Sequence, residues 1–211
     1  MKTKILFVIF ACAATPAWAE FVFESALLGP TGLDRGASIN DAQFLGTKFR
    51  LESPATARRI GGHFFGNVTG PGDIFGAIVP LSDTGELPGE FDLSGPDAIA
   101  GHALITLPGG TPASDEFAGD LQLDLDPGHY ALIFGSGLFG ASGFGGAPRG
   151  DPIVGDPSYF VVDDGQVFEG GFSDARFFVD TVPEPSALVC ALVALGCCAG
   201  LGRWGRFGNT V

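Results

Sequence analysis

Hydrophobic and polar positions along the central part of the chain alternate in short stretches. Segments rich in Phe, Ile, Val and Leu are separated by clusters of Gly, Pro and Asp, and none keeps a 3.6-residue period over ten residues. This pattern predicts an all-β body. Nine strands are expected, at Phe21–Leu28, Gln43–Glu52, Arg58–Val68, Ile74–Leu81, Ala98–Leu107, Leu121–Leu125, His129–Gly135, Tyr159–Val162 and Arg176–Asp180.

The clearest strand signal is the strict alternation of Leu121-Gln-Leu-Asp-Leu125. Asp126-Pro127-Gly128 supplies turn residues, and the apolar run His129–Phe134 follows, so we predict a β-hairpin with a buried leucine face. Two sheets packed face to face would bury several such faces. We therefore favour an antiparallel β-sandwich of the jelly-roll type over a closed barrel.

One segment does not fit this alternation, because the 22 residues from Gly135 to Asp156 include eight glycines. A connection of this length is usually functional or disordered. Leu138, Phe139 and Phe144 are apolar, so we expect part of the segment to pack against the body as an Ω-type loop.

The N-terminus has the order of a secretory signal. Lys2 and Lys4 precede the apolar stretch Ile5–Ala14, and small residues at Ala17 and Ala19 complete a signal-peptidase site. Residues 1–19 are therefore predicted to be a signal peptide, cleaved between Ala19 and Glu20, which exports the body.

The C-terminus contains a second apolar segment. Ser186–Gly202 has 17 residues without a charge, and Arg203 and Arg206 follow it, which predicts one transmembrane helix over 186–202 with a basic cytoplasmic end. The lysines of the signal peptide demand the same topology. We thus divide the chain into a signal peptide (1–19), an exported β-sandwich domain (20–181) and a tail (182–211).

Val182-Pro183-Glu184-Pro185, followed by an apolar helix and an arginine cluster, resembles the PEP-CTERM sorting signal of exported bacterial proteins. The resemblance implies processing by an exosortase, a transpeptidase-like membrane enzyme of bacteria that secrete exopolysaccharide. The two prolines hold the motif extended and outside the helix, which suits recognition by an enzyme. The alternative is an uncleaved single-pass anchor whose prolines only end the helix.

The body also resembles domains of other PEP-CTERM proteins. The similar stretches are Gly61-Gly-His63, Phe91-Asp-Leu-Ser-Gly-Pro-Asp97 and Gly128–Ala141. The resemblance implies an exported domain of this class and assigns no activity to any residue.

The composition of the body excludes cysteine chemistry and disfavours binding to nucleic acid and anionic lipid. All four cysteines, Cys12, Cys190, Cys197 and Cys198, lie in the two ends, so the exported body has no disulfide and no thiolate ligand. Of 11 basic and 24 acidic residues, seven and 23 remain after Lys2, Lys4, Glu184, Arg203 and Arg206 are set aside, a net charge of −16. Such a body is not expected to bind nucleic acid or anionic lipid.

No catalytic residue is nominated. His63, His102 and His129 lie on separate predicted strands with apolar flanks, which favours packing residues over a zinc site. No Ser-His-Asp set stands out, and Gly135-Ser-Gly-Leu-Phe-Gly140 lacks the helix that a dinucleotide site requires. We expect no cofactor. The alternative is calcium, bound by carboxylates that otherwise are solvated strand ends: Asp120, Asp124, Asp126, Asp163 and Asp164.

These patterns predict a non-enzymatic exported protein, anchored in the inner membrane as a precursor and then placed in the cell envelope or exopolysaccharide matrix. An exosortase-type enzyme and exopolysaccharide are the expected partners. One alternative is a carbohydrate-binding module that uses Tyr130, Tyr159 or the Gly-rich segment. Another alternative is a secreted hydrolase that uses carboxylates or a metal.

Overall fold

The computed structural model describes residues 20–66, 70–93, 95, 98–109 and 113–181. Within these ranges the protein is all-β, and no helix there is long and apolar enough to cross a membrane. The predicted signal peptide and transmembrane helix lie outside the described residues. The strands are β1 Glu20–Glu24, β2 Gly36–Ile39, β3 Gln43–Leu51, β4 Ala55–Gly66, β5 Gly72–Pro80, β6 Gly101–Leu107, β7 Asp115–Leu125, β8 Gly128–Gly135, β9 Gly145–Pro148, β10 Ser158–Asp163, β11 Gln166–Glu169 and β12 Phe177–Thr181.

The described strands form two six-stranded antiparallel sheets. The first has the order β1-β12-β4-β9-β2, with β7 also paired to β4, and the second has the order β11-β10-β3-β8-β5-β6. Strand β4 pairs with β7 over most of its length, with β12 near its middle and with β9 at its end. It is therefore the central strand of the first sheet.

The predicted strands agree with the observed ones. Each of the nine predicted segments overlaps a strand, with ends that differ by a few residues, and β7 begins six residues earlier than predicted. The prediction missed β2, β9 and β11. Each of these has only four residues, and β2 and β9 are rich in glycine and alanine, so neither the length nor the composition marks them as strands.

The predicted hairpin at residues 121–134 is wrong in its pairing, although both strands are present. Strand β7 pairs with β4 in the first sheet, whereas β8 pairs with β3 and β5 in the second. The chain crosses between sheets at Asp126 and Pro127. The Tyr130 hydroxyl donates a 2.8 Å hydrogen bond to the carbonyl of Asp126, which holds this corner. The leucine face packs against the core, with Leu125 buried.

One core cluster combines side chains from both sheets. Phe64 of the first sheet and Phe134 of the second meet edge to face, with ring centroids 4.9 Å apart, and Phe177 of the first sheet lies 4.8 Å from Phe134. On the second sheet this cluster takes alternate residues, such as Leu45 on β3. The two sheets therefore pack against each other through one face of each.

The other face of the second sheet is buried as well. A second cluster contains the intervening residues, such as Phe44 on β3 and Phe75 on β5. Apolar side chains that follow β5 and β8 cover it: Leu81, Leu87, Phe91, Leu93, Ile99, Leu138, Phe139 and Ala141. Because both faces are buried there, β5 and β8 have near-continuous apolar sequences instead of an alternating pattern.

Part of the Gly-rich segment forms this cover, as predicted. Leu138 and Phe139 pack on the second cluster, and the Phe139 ring stacks on His102 at 4.4 Å. Phe144, which we expected to be packed, is 41 % exposed. The segment also contains β9, so a strand interrupts what the sequence predicted to be one long loop.

Phenylalanine rings lie over glycines on neighbouring strands. Phe160 faces Gly46, Phe178 faces Gly61 and Phe65 faces Gly146 in the strand register. A Cβ atom on any of these glycines would collide with the facing ring. The chain has 20 phenylalanines and 34 glycines. Pairing of a phenylalanine ring with a glycine on the neighbouring strand explains part of this high content.

The turn between β10 and β11 has the geometry of a type I′ hairpin. Asp164 and Gly165 have φ values of 47° and 83°, and Asp163 pairs with Gln166 across the turn. Asp-Gly is the sequence preferred for this turn because both central residues need positive φ. Turn geometry therefore accounts for the Asp164-Gly165 sequence.

The turn predicts a difference between two glycine substitutions. Gly165→Ala should lower the free energy of unfolding by about 1 kcal/mol, because alanine is strained at positive φ. Gly89→Ala, at a nearby exposed glycine whose added Cβ would also meet no neighbour, should be neutral or stabilise by up to about 1 kcal/mol. Chemical denaturation of both variants checks this. Equal effects would show that the backbone of the turn does not require positive φ.

Candidate functional site

A buried polar array forms around His63 of β4. The imidazole is completely buried; its Nδ1 atom lies 2.8 Å from Oδ1 of Asp151 and its Nε2 atom lies 2.8 Å from Oγ of Ser114. The backbone N–H of Leu33 donates to the same Oγ at 2.9 Å. With Nδ1–H donating to the carboxylate and the Ser114 hydroxyl donating to Nε2, every one of these groups has a partner.

The Asp151 carboxylate is the second centre of the array and is only 3 % exposed. Besides His63, it accepts hydrogen bonds from the backbone N–H of Gly29 at 2.9 Å and of Arg176 at 2.8 Å. These donors belong to three separate segments of the chain. A buried carboxylate needs such partners, since an unpaired charge in the interior costs several kcal/mol.

The order of atoms from Ser114 through His63 to Asp151 is that of a serine-hydrolase triad. Three observations oppose a catalytic role in this conformation. All three side chains are at most 3 % exposed, so a substrate carbonyl has no approach to the Ser114 hydroxyl. The Leu33 N–H already occupies Oγ, and the Ser114 backbone bonds to residues 32 and 33 on both sides. The geometry is that of a structural connection between segments.

Ser114 could not have been found from the sequence. It is 51 residues from His63, and 88 residues separate His63 from Asp151. No sequence motif surrounds Ser114. Only the pairing of β4 with β7 brings Ser114 to the histidine.

Arg176 extends the buried network towards the surface. Its guanidinium is 5 % exposed and pairs with Glu24 at 2.7 Å and with Glu116. The same group lies 4.6 Å from the ring centre of Phe178 and 5.3 Å from that of Phe21. Its own backbone N–H binds Asp151, so Arg176 joins the two polar groups.

A second ion pair joins β4 and β12. Arg59 Nε donates to Oδ2 of Asp180 at 2.8 Å, and Asp180 is 2 % exposed. This hydrogen bond raises the pKa of Arg59 above its usual value. No buried side-chain nitrogen or oxygen atom among the described residues lacks a hydrogen-bond partner.

The structure keeps the three histidines, which we considered as zinc ligands and expected to be packing residues, on separate strands. His63, His102 and His129 lie on β4, β6 and β8, and within the described ranges no three His, Cys, Asp or Glu residues are placed to hold a metal ion. Asp124 accepts a 2.6 Å hydrogen bond from the Thr56 hydroxyl. Asp120 lies across from Arg59 in the strand register.

Tyr130 and Tyr159 were the candidates for a sugar-stacking surface, and both are buried. Tyr130 is 8 % exposed and holds the β7–β8 corner. Tyr159 is 7 % exposed, and its hydroxyl donates to the carbonyl of Ala175 at 2.7 Å. Neither ring offers a face to a ligand.

The remaining predicted site residues are those of the two ends. Glu20, after the expected signal-peptidase site, is the first residue of β1. The others lie outside the described residues, so the structure says nothing of them: Ala17, Ala19, Val182, Pro183, Glu184, Pro185, Arg203 and Arg206.

A cleft of about 610 Å³ opens next to β1 and the beginning of β8. Lys48 and Arg50 lie two residues apart on β3 and therefore share a face of the second sheet, and His129 lies directly across from Arg50. Apolar side chains complete the lining, among them Phe23, Leu81, Val154 and Pro157. The sequence did not indicate this cleft, because its residues come from five separate segments.

Comparison with known protein families, curated proteins and solved structures finds no match to this chain.

The buried array predicts a large effect of Asp151→Ala on stability. The substitution leaves three donors without an acceptor, so the free energy of unfolding should fall by about 3–5 kcal/mol. Asp83→Ala, at an exposed carboxylate, should change it by no more than about 0.5 kcal/mol. Ser114→Ala is a milder test, with an expected loss of about 1–3 kcal/mol. If chemical denaturation shows that all three variants match the original chain, the array does not stabilise the fold.

The two tyrosines, the only ones in the chain, predict how stability depends on alkaline pH. Burial raises the pKa of both hydroxyls above the ordinary value of about 10. Above about pH 10 the unfolded chain loses these protons while the folded chain keeps them. The tyrosine contribution is therefore fully present below that pH and is lost as pH rises towards the folded pKa values.

Ultraviolet absorbance of tyrosinate, followed in the folded and the denatured chain, measures this shift. Tyr159→Phe should remove the part of the alkaline loss that belongs to Tyr159, because phenylalanine does not titrate. A folded chain whose tyrosines titrate together with those of the denatured chain would contradict the prediction.

Proposed function

We propose that this chain is a non-enzymatic exported protein, sorted by a PEP-CTERM-type tail to the cell envelope or the exopolysaccharide matrix. One observation carries the proposal. The first and last described strands, β1 and β12, pair with each other, with Glu20 opposite Thr181. Cleavage before Glu20 and within residues 182–185 would therefore remove no described strand and break no described strand pairing.

The proposed mechanism is transient anchoring. The signal peptide directs export, the apolar segment 186–202 holds the precursor in the inner membrane, and an exosortase-type enzyme cuts near Pro183-Glu184-Pro185. The prolines keep the cutting site extended and unpaired. The released or transferred body then depends on its own packing, since it contains no cysteine for a disulfide and the proposed role needs no cofactor.

We also infer that the two sheets form a β-sandwich of the jelly-roll type. The shared aromatic cluster supports the face-to-face arrangement. Of the consecutive strand pairs, only β5–β6 and β10–β11 are hairpins within a sheet, and most other connections pass from one sheet to the other. Repeated crossing between sheets is typical of jelly rolls.

A secreted hydrolase remains the competing function because Ser114, His63 and Asp151 are aligned. Burial of all three argues against it. A fluorophosphonate probe, which reacts with activated serines, separates the two functions. Labelling of the native chain that disappears in Ser114→Ala would favour the hydrolase and contradict the non-enzymatic proposal.

The intact mass of the native protein tests sorting and processing. In surface and medium fractions we expect a mass that begins at Glu20 and ends within or near Pro183-Glu184-Pro185. The membrane fraction should also contain a precursor that retains the tail. A mass that includes residues 186–211 in every fraction would support the plain membrane anchor instead.

A motif variant provides the control. Replacing Pro183, Glu184 and Pro185 with alanine leaves the apolar segment and the arginines in place, so insertion should persist while cleavage stops. The variant should accumulate in the membrane fraction at the precursor mass. If it is processed like the original chain, the motif does not direct cleavage.

A further inference from the structure

We infer that the cleft next to β1 binds a glycan that carries an isolated carboxylate on an otherwise neutral chain. The inference rests on the proposed function, because that function places the body among extracellular polysaccharides. It names the ligand class and the residues that would recognise it, neither of which follows from sorting alone.

Three nitrogen-bearing side chains lie together at the cleft. Lys48 and Arg50 are on one face of β3, and His129 is the cross-strand partner of Arg50. Cross-strand partners have Cβ atoms about 5 Å apart, so all three are within reach of one small anion. Gly85 leaves space for the imidazole, because a Cβ atom there would be 2.6 Å from His129 Nδ1.

The present partners of these cations are easily replaced. Lys48 pairs with Glu169 and Arg50 with Glu52, and the two glutamate side chains are 66 % and 78 % exposed. Exposed ion pairs contribute little to stability. A ligand carboxylate held in the cleft could therefore take over both cations while the glutamates turn to solvent.

The cleft brings together two of the few cations of the body. Glu24, which also lines the cleft, pairs with Arg176 at 2.7 Å. Once Glu169 and Glu52 turn to solvent, Lys48, Arg50 and Asp156 leave a charge of +1 in the lining. The body as a whole carries −16. A polyanion would be repelled by the body, whereas a single carboxylate experiences mainly the cleft. The charges thus favour a sparsely charged ligand over a polyanion.

The rest of the lining suits a sugar ring. Leu81, Val154 and Pro157 line the cleft with apolar side chains, and Leu81 packs on the second cluster, on the face of β3 that carries Lys48 and Arg50. Apolar walls with a few polar groups at one side are typical of small-molecule sites. The C–H faces of a pyranose can lie against these walls while its carboxylate faces the cations.

Calorimetric titration of the full chain in mild detergent tests the inference with four probes. Cellobiouronate has one carboxylate, cellobiose is its neutral counterpart, polygalacturonate is a polyanion, and acetate has a carboxylate without a sugar. Cellobiouronate should bind at least about tenfold more tightly than each of the others, because a charge-assisted hydrogen bond is typically worth that factor or more. Equal affinity for cellobiose, tighter binding of polygalacturonate or acetate, or no binding of cellobiouronate would overturn it.

A pair of charge-matched variants locates the site. Lys48→Gln with Arg50→Gln should weaken cellobiouronate binding about tenfold or more. Arg35→Gln with Arg149→Gln removes the same charge at exposed positions that do not line the cleft, and should leave binding unchanged. Thermal unfolding confirms that both variants are folded. Equal losses in the two variants would assign the effect to overall charge and contradict the cleft.

Fractionation keeps this inference separate from the proposed function. The Lys48–Arg50 double variant should still be processed to the same mass, since the cleft plays no part in sorting. Correct processing without any cellobiouronate binding would overturn the ligand alone. Specific binding by a chain that always retains its tail would overturn the sorting proposal alone.

Discussion

The hydrogen bonds of the buried Asp151 carboxylate hold together segments of the chain that are not part of any strand. It binds the backbone at Gly29 and Arg176 and the imidazole of His63, and through His63 it reaches Ser114. The segments after β1, before β7 and after β9 lie outside the strands and are also joined by a bridge between Ala26 and Ile153 and by backbone hydrogen bonds between Ser114 and residues 32 and 33. Because a buried charge tolerates no missing partner, the carboxylate requires all of these segments to be in place together.

Packing of aromatic side chains also stabilises the body, which has no disulfide. Phe64, Phe134 and Phe177 join the sheets, while rings such as Phe160 and Phe178 cover glycines on neighbouring strands. A ring over glycine buries apolar area that a small residue leaves open, and the glycine backbone permits the close approach. The high content of both residue types thus serves one packing arrangement.

These features are compatible with the proposed cleavage at both ends of the body and with the proposed ligand binding at a separate cleft. The pairing of β1 with β12 makes both predicted cleavage regions adjoin the same pair of strands. Among the described residues, the buried side-chain polar atoms all have hydrogen-bond partners, and Lys48 and Arg50 of the cleft pair with exposed glutamates. The proposed recognition would therefore use other charged residues than those that stabilise the fold, so that one set could be altered without the other.

The sequence by itself determined the approximate positions of nine of the twelve described strands, the absence of disulfides in the body and the acidic charge, because alternation, turn residues and composition are local properties. It also predicted the two targeting ends, on which the described residues do not bear. Only the tertiary structure decided that β7 and β8 belong to different sheets, since a turn at Asp126 and Pro127 suits a hairpin and a crossing equally well. It also decided which of the three histidines is buried in a polar array, and that Lys48, Arg50 and His129 share a cleft. Those contacts join residues that are far apart in the chain, and their spacing leaves no periodic signal.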